Sequence, residues 1–227
     1  MKQYSFSKID SFFRCREQYK KKYIDGIVTP ENRKMTLGKI VHFGQNEMNK
    51  KLMSDPEGFS PEDIDINFIA TSVGGITLTS DEWNEINGSL TRYGEQTAGK
   101  RILQTEYPFC MTVTNGIDIV GIIDRITDEG DFILVSDTKY SDYVMSKEEV
   151  SFSKQLAIYR LAASNMYPGR NVKVQIYNAK TNIPTYEDDR VFNVSATEEW
   201  LKYAINEMET ATQYPANVNK FCSYCGY

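Results

Sequence analysis

Residues 117–139 read IDIVGIIDRITDEGDFILVSDTK, and the alternation inside this stretch decides how the rest of the chain is understood. Two apolar runs, Ile117 to Ile126 and Phe132 to Lys139, flank a DEGD segment whose Gly130 is a hairpin signal. The first run delivers Asp124 near its end, and the second closes on Asp137, Thr138 and Lys139. Strand side chains alternate with a period of two, so Asp137 and Lys139 point to the same face. A carboxylate and an ammonium are thereby held side by side, with a second carboxylate on the neighbouring strand. Two acidic oxygens suit a hard divalent cation, and a nearby lysine suits a water aimed at a phosphodiester. An isolated DxK is most often an ordinary ion pair at a strand edge, so further residues must fit the same chemistry.

His42, the one histidine of 227 residues, sits in LGKIVHFGQNEMNKKLM, where Leu37, Ile40, Val41, Met48 and Leu52 recur at helical spacing. It follows Gly38 by one turn, on the same helix face. A lone histidine on an apolar helix is more often a core residue than a ligand, yet imidazole is a usual partner of carboxylates around manganese or similar ions. Glu106, in RILQTEYPF, lies on a strand-like segment before the hairpin. Gln155 and Tyr159, in SKQLAIYRLAAS, are four apart and share a helix face next to the sheet.

The remaining pattern supplies the frame. Ser7 is placed to cap a first helix carrying Ile9, Phe12, Phe13 and Tyr19, with Cys15 on or near that stripe. The His42 helix ends around SDPEGFSPED, and the region to about Ser80 reads as a loop or insertion. From Asp81 a further helix leads into the glutamate strand, three strands follow, and the Gln155 helix runs to a turn at Tyr167 to Arg170. NVKVQIYNA then reads as a strand with EDDRVFNV as its partner, and Ser195 with Glu198 has the capping-box spacing of a final helix ending before Pro215. The expected fold class is α/β, a mixed central sheet flanked by helices, built as one domain over residues 1–227.

Composition bounds the function. Apolar residues make up 41% and charged residues 25%, ordinary for a globular protein. No apolar run approaches a membrane span, so no membrane partner is expected. No dinucleotide fingerprint or phosphate-binding loop is present, which excludes an ATP-driven motor within this chain. The net charge of −5 does not advertise nucleic-acid binding. Basic residues are nonetheless grouped, as at Lys20 to Lys22, and 15 tyrosines offer faces for unpaired bases.

Taken in order, SFSKIDSFFRCREQYKKKY, Gly38 to His42 as GxxxH, the glutamate strand, GIIDR, SDTKY, QxxxY and the closing CSYC resemble the PD-(D/E)xK nuclease superfamily. Within it they are similar to RecB-type exonucleases, including the CRISPR-adaptation and phage recombination branch. The resemblance implies a restriction-endonuclease-like core and a metal-dependent DNA exonuclease acting on single strands or duplex ends. It implies Mg²⁺ or Mn²⁺ bound by His42, Asp124 and Asp137, with the Thr138 carbonyl as a further ligand. Lys139 would assist the attacking water, Glu106 would contribute through a water or a second ion, and Gln155 and Tyr159 would position the DNA strand. Recombination, repair or CRISPR-adaptation proteins are the implied partners. The alternative is a weakly active or inactive nuclease-fold subunit that binds DNA within a larger complex.

The N-terminus MKQYSFSKID is polar, so a cytoplasmic location is expected, the host cytoplasm if the chain is phage-encoded, with reduced cysteines. Cys110, in EYPFCMTV, reads as a small buried apolar residue. In cluster-bearing relatives of the RecB type, one cysteine near the N-terminus and three near the C-terminus hold a [4Fe-4S] cluster. Cys15, Cys222 and Cys225 match three of those positions, which implies that the N-terminal helices, residues 5–55, pack with residues 215–227. No fourth cysteine follows before Tyr227. A longer chain, a cluster with a different fourth ligand, and a site without metal all fit that pattern.

Overall fold

In the computed structural model the hairpin forms where the alternation requires it. β3 (Ile117–Asp128) and β4 (Phe132–Lys139) run antiparallel, with Arg125 opposite Ser136 and Asp128 opposite Ile133. Gly130 turns the chain at a φ of 85°, a left-handed conformation that glycine adopts without strain. β4 is buried over six consecutive residues, as expected of a central strand covered on both faces. It pairs in parallel with β5 (Asn171–Asn178), and the crossover between them carries α7 (Lys154–Met166). The structure describes residues 2–58, 60, 63–114, 116–188, 193–219 and 222.

Six strands make a mixed sheet flanked by helices. Besides β3 to β5, they are β1 (Lys2–Ser5), parallel to the start of β3, β2 (Arg101–Thr114), paired with β3, and β6 (Ile183–Tyr186), antiparallel to β5. The chain divides into two compact units. One comprises Met1–Glu31, Phe109–Gly121 and Asn193–Tyr227, and the other Asn32–Pro108 and Ile122–Phe192.

The first unit holds α1 (Phe6–Arg14), α2 (Arg16–Tyr19), a π-helical turn at Lys20–Ile24, and α8 (Val194–Thr210). Ile9 and Phe12 are fully buried, and Phe12 packs edge-on against Tyr19. Each such apolar side chain withdrawn from water contributes about 1.5–3 kcal/mol. Ser5, not Ser7, caps α1, because its pairing on β1 keeps it extended while its hydroxyl accepts from Lys8 N. The final helix likewise begins earlier than the Ser195 and Glu198 spacing indicates, with the Asn193 side chain accepting from Ala196 N. Cys110 is exposed rather than buried: on β2 it alternates with Phe109, which takes the inward position.

The second unit is built around α3 (Arg33–Ser54), capped by Asn32. One face of α3 offers Ile40, Val41 and Met48 to α4 (Ile66–Gly74) and α5 (Ser80–Thr97). α4 occupies the stretch read as a loop or insertion. Asp65 caps its start, Gly75 ends it in a left-handed turn, and its buried Ile66, Ile69 and Ala70 are held by packing on α3, which nine residues of local pattern do not announce. Thr79 and Glu82 form a capping box at α5, and Ser146 and Glu149 another at the short α6 (Lys147–Ser151). The strand partnering β5 is Ile183–Tyr186, ahead of EDDRVFNV. In that stretch Glu187 follows the end of β6 and still bonds Val174 on β5, Asp188 is not in a strand, 189–192 fall outside the described residues, and Val194 already belongs to α8.

Candidate metal centre

Every residue of the proposed acidic site belongs to the second unit. One position past the Arg125 and Ser136 pair, β3 and β4 reach Asp124 and Asp137. The Asp124 carboxylate there accepts from Thr138 N at 2.7 Å, so a side chain receives a main-chain donor beyond the Arg125 and Ser136 pair. His42 comes from α3 with Nδ1 at 3.6 Å from Asp124 Oδ2 and Nε2 at 3.0 Å from the Thr138 carbonyl. A carbonyl only accepts, so in that contact Nε2 carries the proton and the Nδ1 lone pair faces Asp124. β2 adds Glu106, whose φ of 44° is left-handed in a residue with a side chain, a strained conformation of the kind that gathers at functional sites.

Ligand atoms of His42, Glu106 and Asp124 all lie within 4.8 Å of one another. Asp137 is engaged differently. Its Oδ2 is 2.7 Å from Lys139 Nζ, an ion pair lacking hydrogen-bond alignment, and its Oδ1 accepts from Gln155 Nε2 at 2.9 Å. Gln155 also donates to the Tyr159 hydroxyl at 2.9 Å and accepts from Lys139 at 3.2 Å. The glutamine amide therefore clamps the DxK pair together. Tyr159 is 7% exposed, so little of its ring faces solvent.

The electrostatics describe a site short of positive charge. Burial and then the charge of Asp137 hold the Asp124 carboxyl well above its ordinary range. Burial also raises Glu106, against the pull of Lys50. Burial keeps His42 below its usual value, which favours the neutral ring a metal requires. For Lys139 burial acts downward, but Asp137 and Asp124 outweigh it and hold the ammonium above its usual range. Two strained carboxyls, a neutral imidazole and a buried, poorly satisfied Asp137 oxygen fit a divalent cation by their donor chemistry.

A family model described as the PD-(D/E)XK nuclease superfamily matches residues 3–227. The chain belongs to that superfamily. No curated protein matches it. PD-(D/E)XK nucleases use divalent metals, and the acidic site fits that chemistry, so the protein is read at this level as a metal-dependent nuclease. No helix among the described residues is long and apolar enough to cross a membrane.

Several residues that touch this PD-(D/E)XK site escaped sequence reasoning. Gln45 accepts from the Thr138 hydroxyl at 2.9 Å, and Thr105 approaches the Asp124 carbonyl at 3.2 Å. Gln45 stands three residues after His42 on α3, so helical spacing alone was a usable signal for it. Nothing local marked Thr105. In the first unit, Cys15 and Cys222 both line a hollow of about 150 Å³ with Glu17, Gln18, Lys21 and Asn217. Burial would raise the Cys15 thiol, but the N–H groups of Asn217, Gln18 and Glu17 hold it below its ordinary range. Asn217 and Asn219 also donate to the Arg14 carbonyl, which ties the C-terminal segment to α1. Cys225 lies outside the described residues.

Proposed function

We propose that the chain is a deoxyribonuclease acting as an exonuclease on single-stranded DNA or duplex ends. The observation that carries this reading is the convergence of His42, Glu106 and Asp124 within 4.8 Å, beside an Asp137 and Lys139 pair at 2.7 Å. His42, Glu106, Asp124 and Asp137, with the Thr138 carbonyl at the same edge, would hold Mg²⁺ or Mn²⁺. Such an ion supplies Lewis acidity to a phosphoryl oxygen and a more acidic water. Lys139, kept protonated by its carboxylate neighbours, presents positive charge where negative charge gathers on the phosphate. Gln155 keeps that ammonium and Asp137 in register, and Tyr159 steadies Gln155, so the pair meets the scissile group in one orientation. The motif order in the sequence supports a role in recombination, repair, or phage or CRISPR DNA processing beside proteins of those systems.

The test is incubation of end-labelled single-stranded and duplex DNA with Mg²⁺, Mn²⁺ or chelator, beside Asp124→Ala and Lys139→Ala. Metal-dependent shortening from one end, lost in both variants, is the expected result. Internal cuts would replace the exonuclease reading with an endonuclease one, and retarded but intact DNA would favour a binding subunit.

We also propose that Cys15 and Cys222, together with Cys225, ligate an iron-sulfur cluster. Two thiols on one hollow and a Cys15 thiol held low support this. Anaerobically purified protein should absorb in the thiolate-to-iron charge-transfer region, and a colourless, iron-free preparation would refute the assignment.

A further inference from the structure

Arg125 is 5% exposed, yet among the described residues no carboxylate pairs with it. Its guanidinium donates to Tyr93 OH and Thr97 Oγ1, both at 2.9 Å, and reaches Ser136 Oγ at 3.5 Å, while its Nε finds no acceptor. A buried cation satisfied only by neutral groups is costly, and the Tyr93 ring, its centroid 5.1 Å from the guanidinium carbon, offsets part of that cost. Its hydrogen bonds lead toward the metal centre. The Tyr93 hydroxyl in turn donates to Asn49 Oδ1 at 2.9 Å, and Asn49 Nδ2 donates to Thr105 Oγ1 at 3.1 Å. The Thr105 hydroxyl lies 3.2 Å from the main-chain carbonyl of Asp124 and 3.0 Å from Asn46 Oδ1. Thr105 also immediately precedes Glu106, whose backbone is strained.

Donor and acceptor roles run in one direction from Arg125 to Thr105, so each link polarises the next, and the single Thr105 proton is shared between the Asp124 carbonyl and Asn46 Oδ1. Asn49 and Tyr93 are each 2% exposed, which removes competition from solvent. We propose that Arg125 anchors a buried relay, through Tyr93, Asn49 and Thr105, that positions Asp124 and Glu106. The proposal rests on the metal-site reading above and assigns these four residues a positioning role. They touch neither substrate nor metal. The relay reaches the Asp124 main-chain carbonyl through Thr105, the residue that precedes the strained Glu106. It joins α5, α3, β2 and β3 beside the metal centre.

Tyr93→Phe and Thr105→Val each delete one hydroxyl at nearly constant shape and interrupt the relay at different links. Mn²⁺ alone is titrated calorimetrically into the full chain, and in chelator the amide hydrogen exchange of Thr138 is compared with that of Leu134 on the same strand. Either variant should bind Mn²⁺ about tenfold more weakly, the loss typical when an outer partner of a metal ligand is removed. Thr138, whose N–H is held by Asp124, should exchange faster relative to Leu134. Tyr177→Phe is the control: Tyr177 is buried against the Tyr93 ring and bonds Gln96 and Asn182, outside the relay. It should lower the melting temperature while keeping Mn²⁺ affinity. Unchanged Mn²⁺ affinity and unchanged Thr138 exchange in both relay variants would overturn the proposal. Wild-type protein that takes up no Mn²⁺ would overturn the metal reading instead, and Thr138 exchange would then decide the relay by itself.

Discussion

Lys139 illustrates how competing effects set one side chain's state. Burial pulls its affinity for the proton down, but two carboxylates outweigh it and favour the ammonium, so electrostatic stabilisation is the role its surroundings support. Lys139→Ala should reduce cleavage by about 10²–10³-fold, the scale seen when a group stabilising transition-state charge is lost, in a protein that still folds but melts lower because the buried Asp137 has lost its partner. Asp124 carries a pH signature of definite sign. Its folded-state value is raised, so its contribution to stability is complete below the ordinary carboxylate value of about 3.9 and is lost as pH rises through the raised value. In chelator, the melting temperature of the parent minus that of Asp124→Asn should fall from pH 4 toward neutrality. A difference that is flat with pH would contradict this assignment. Asp124, Asp137 and Lys139 were legible from charges closing apolar strands, whereas the clamp by Gln155 was visible only as a weak four-residue spacing.

At the scale of elements, α3 serves two surfaces at once. Ile40, Val41 and Met48 face the helical core, while His42, Gln45, Asn46 and Asn49 make hydrogen bonds or close contacts with groups on β2, β3, β4 and α5. The apolar stripe announces the helix, but nothing in its spacing says that Gln45 and Asn49 will be buried and His42 and Asn46 half-buried. Gly44 allows the helix to approach α5, since a Cβ there would stand 2.8 Å from Leu90 Cδ1. Gly44→Ala gains about 1 kcal/mol in helix propensity. Overpacking against the fully buried Leu90 costs about 1–3 kcal/mol, so a net loss is expected in urea unfolding. Combined with Leu90→Val, the effects should be less than additive, because the smaller side chain vacates the contested space.

For the whole molecule, a divalent ion held at the acidic centre would make stability depend on metal. Free Mn²⁺ at about one hundred times its dissociation constant should raise unfolding free energy by about 2.7 kcal/mol, readable as an increase in melting temperature. Asp124→Asn should lose most of that increase, and equal gains in both proteins would place the stabilising ion elsewhere. The sequence by itself determined the hairpin, the charges at its end, the helix bearing His42 and the order of motifs that marks the superfamily. These signals are local: alternation, helical spacing and turn residues are imposed within a few positions of the chain. Tertiary structure alone decided that ligand atoms of His42, Glu106 and Asp124 lie within 4.8 Å of one another, that Gln155 bridges Asp137 and Lys139, and that Arg125 connects to the site through three other residues. Those distances depend on how α3, α5 and β2 pack on β3 and β4, and residues as far apart as 42 and 124 carry no local trace of their meeting.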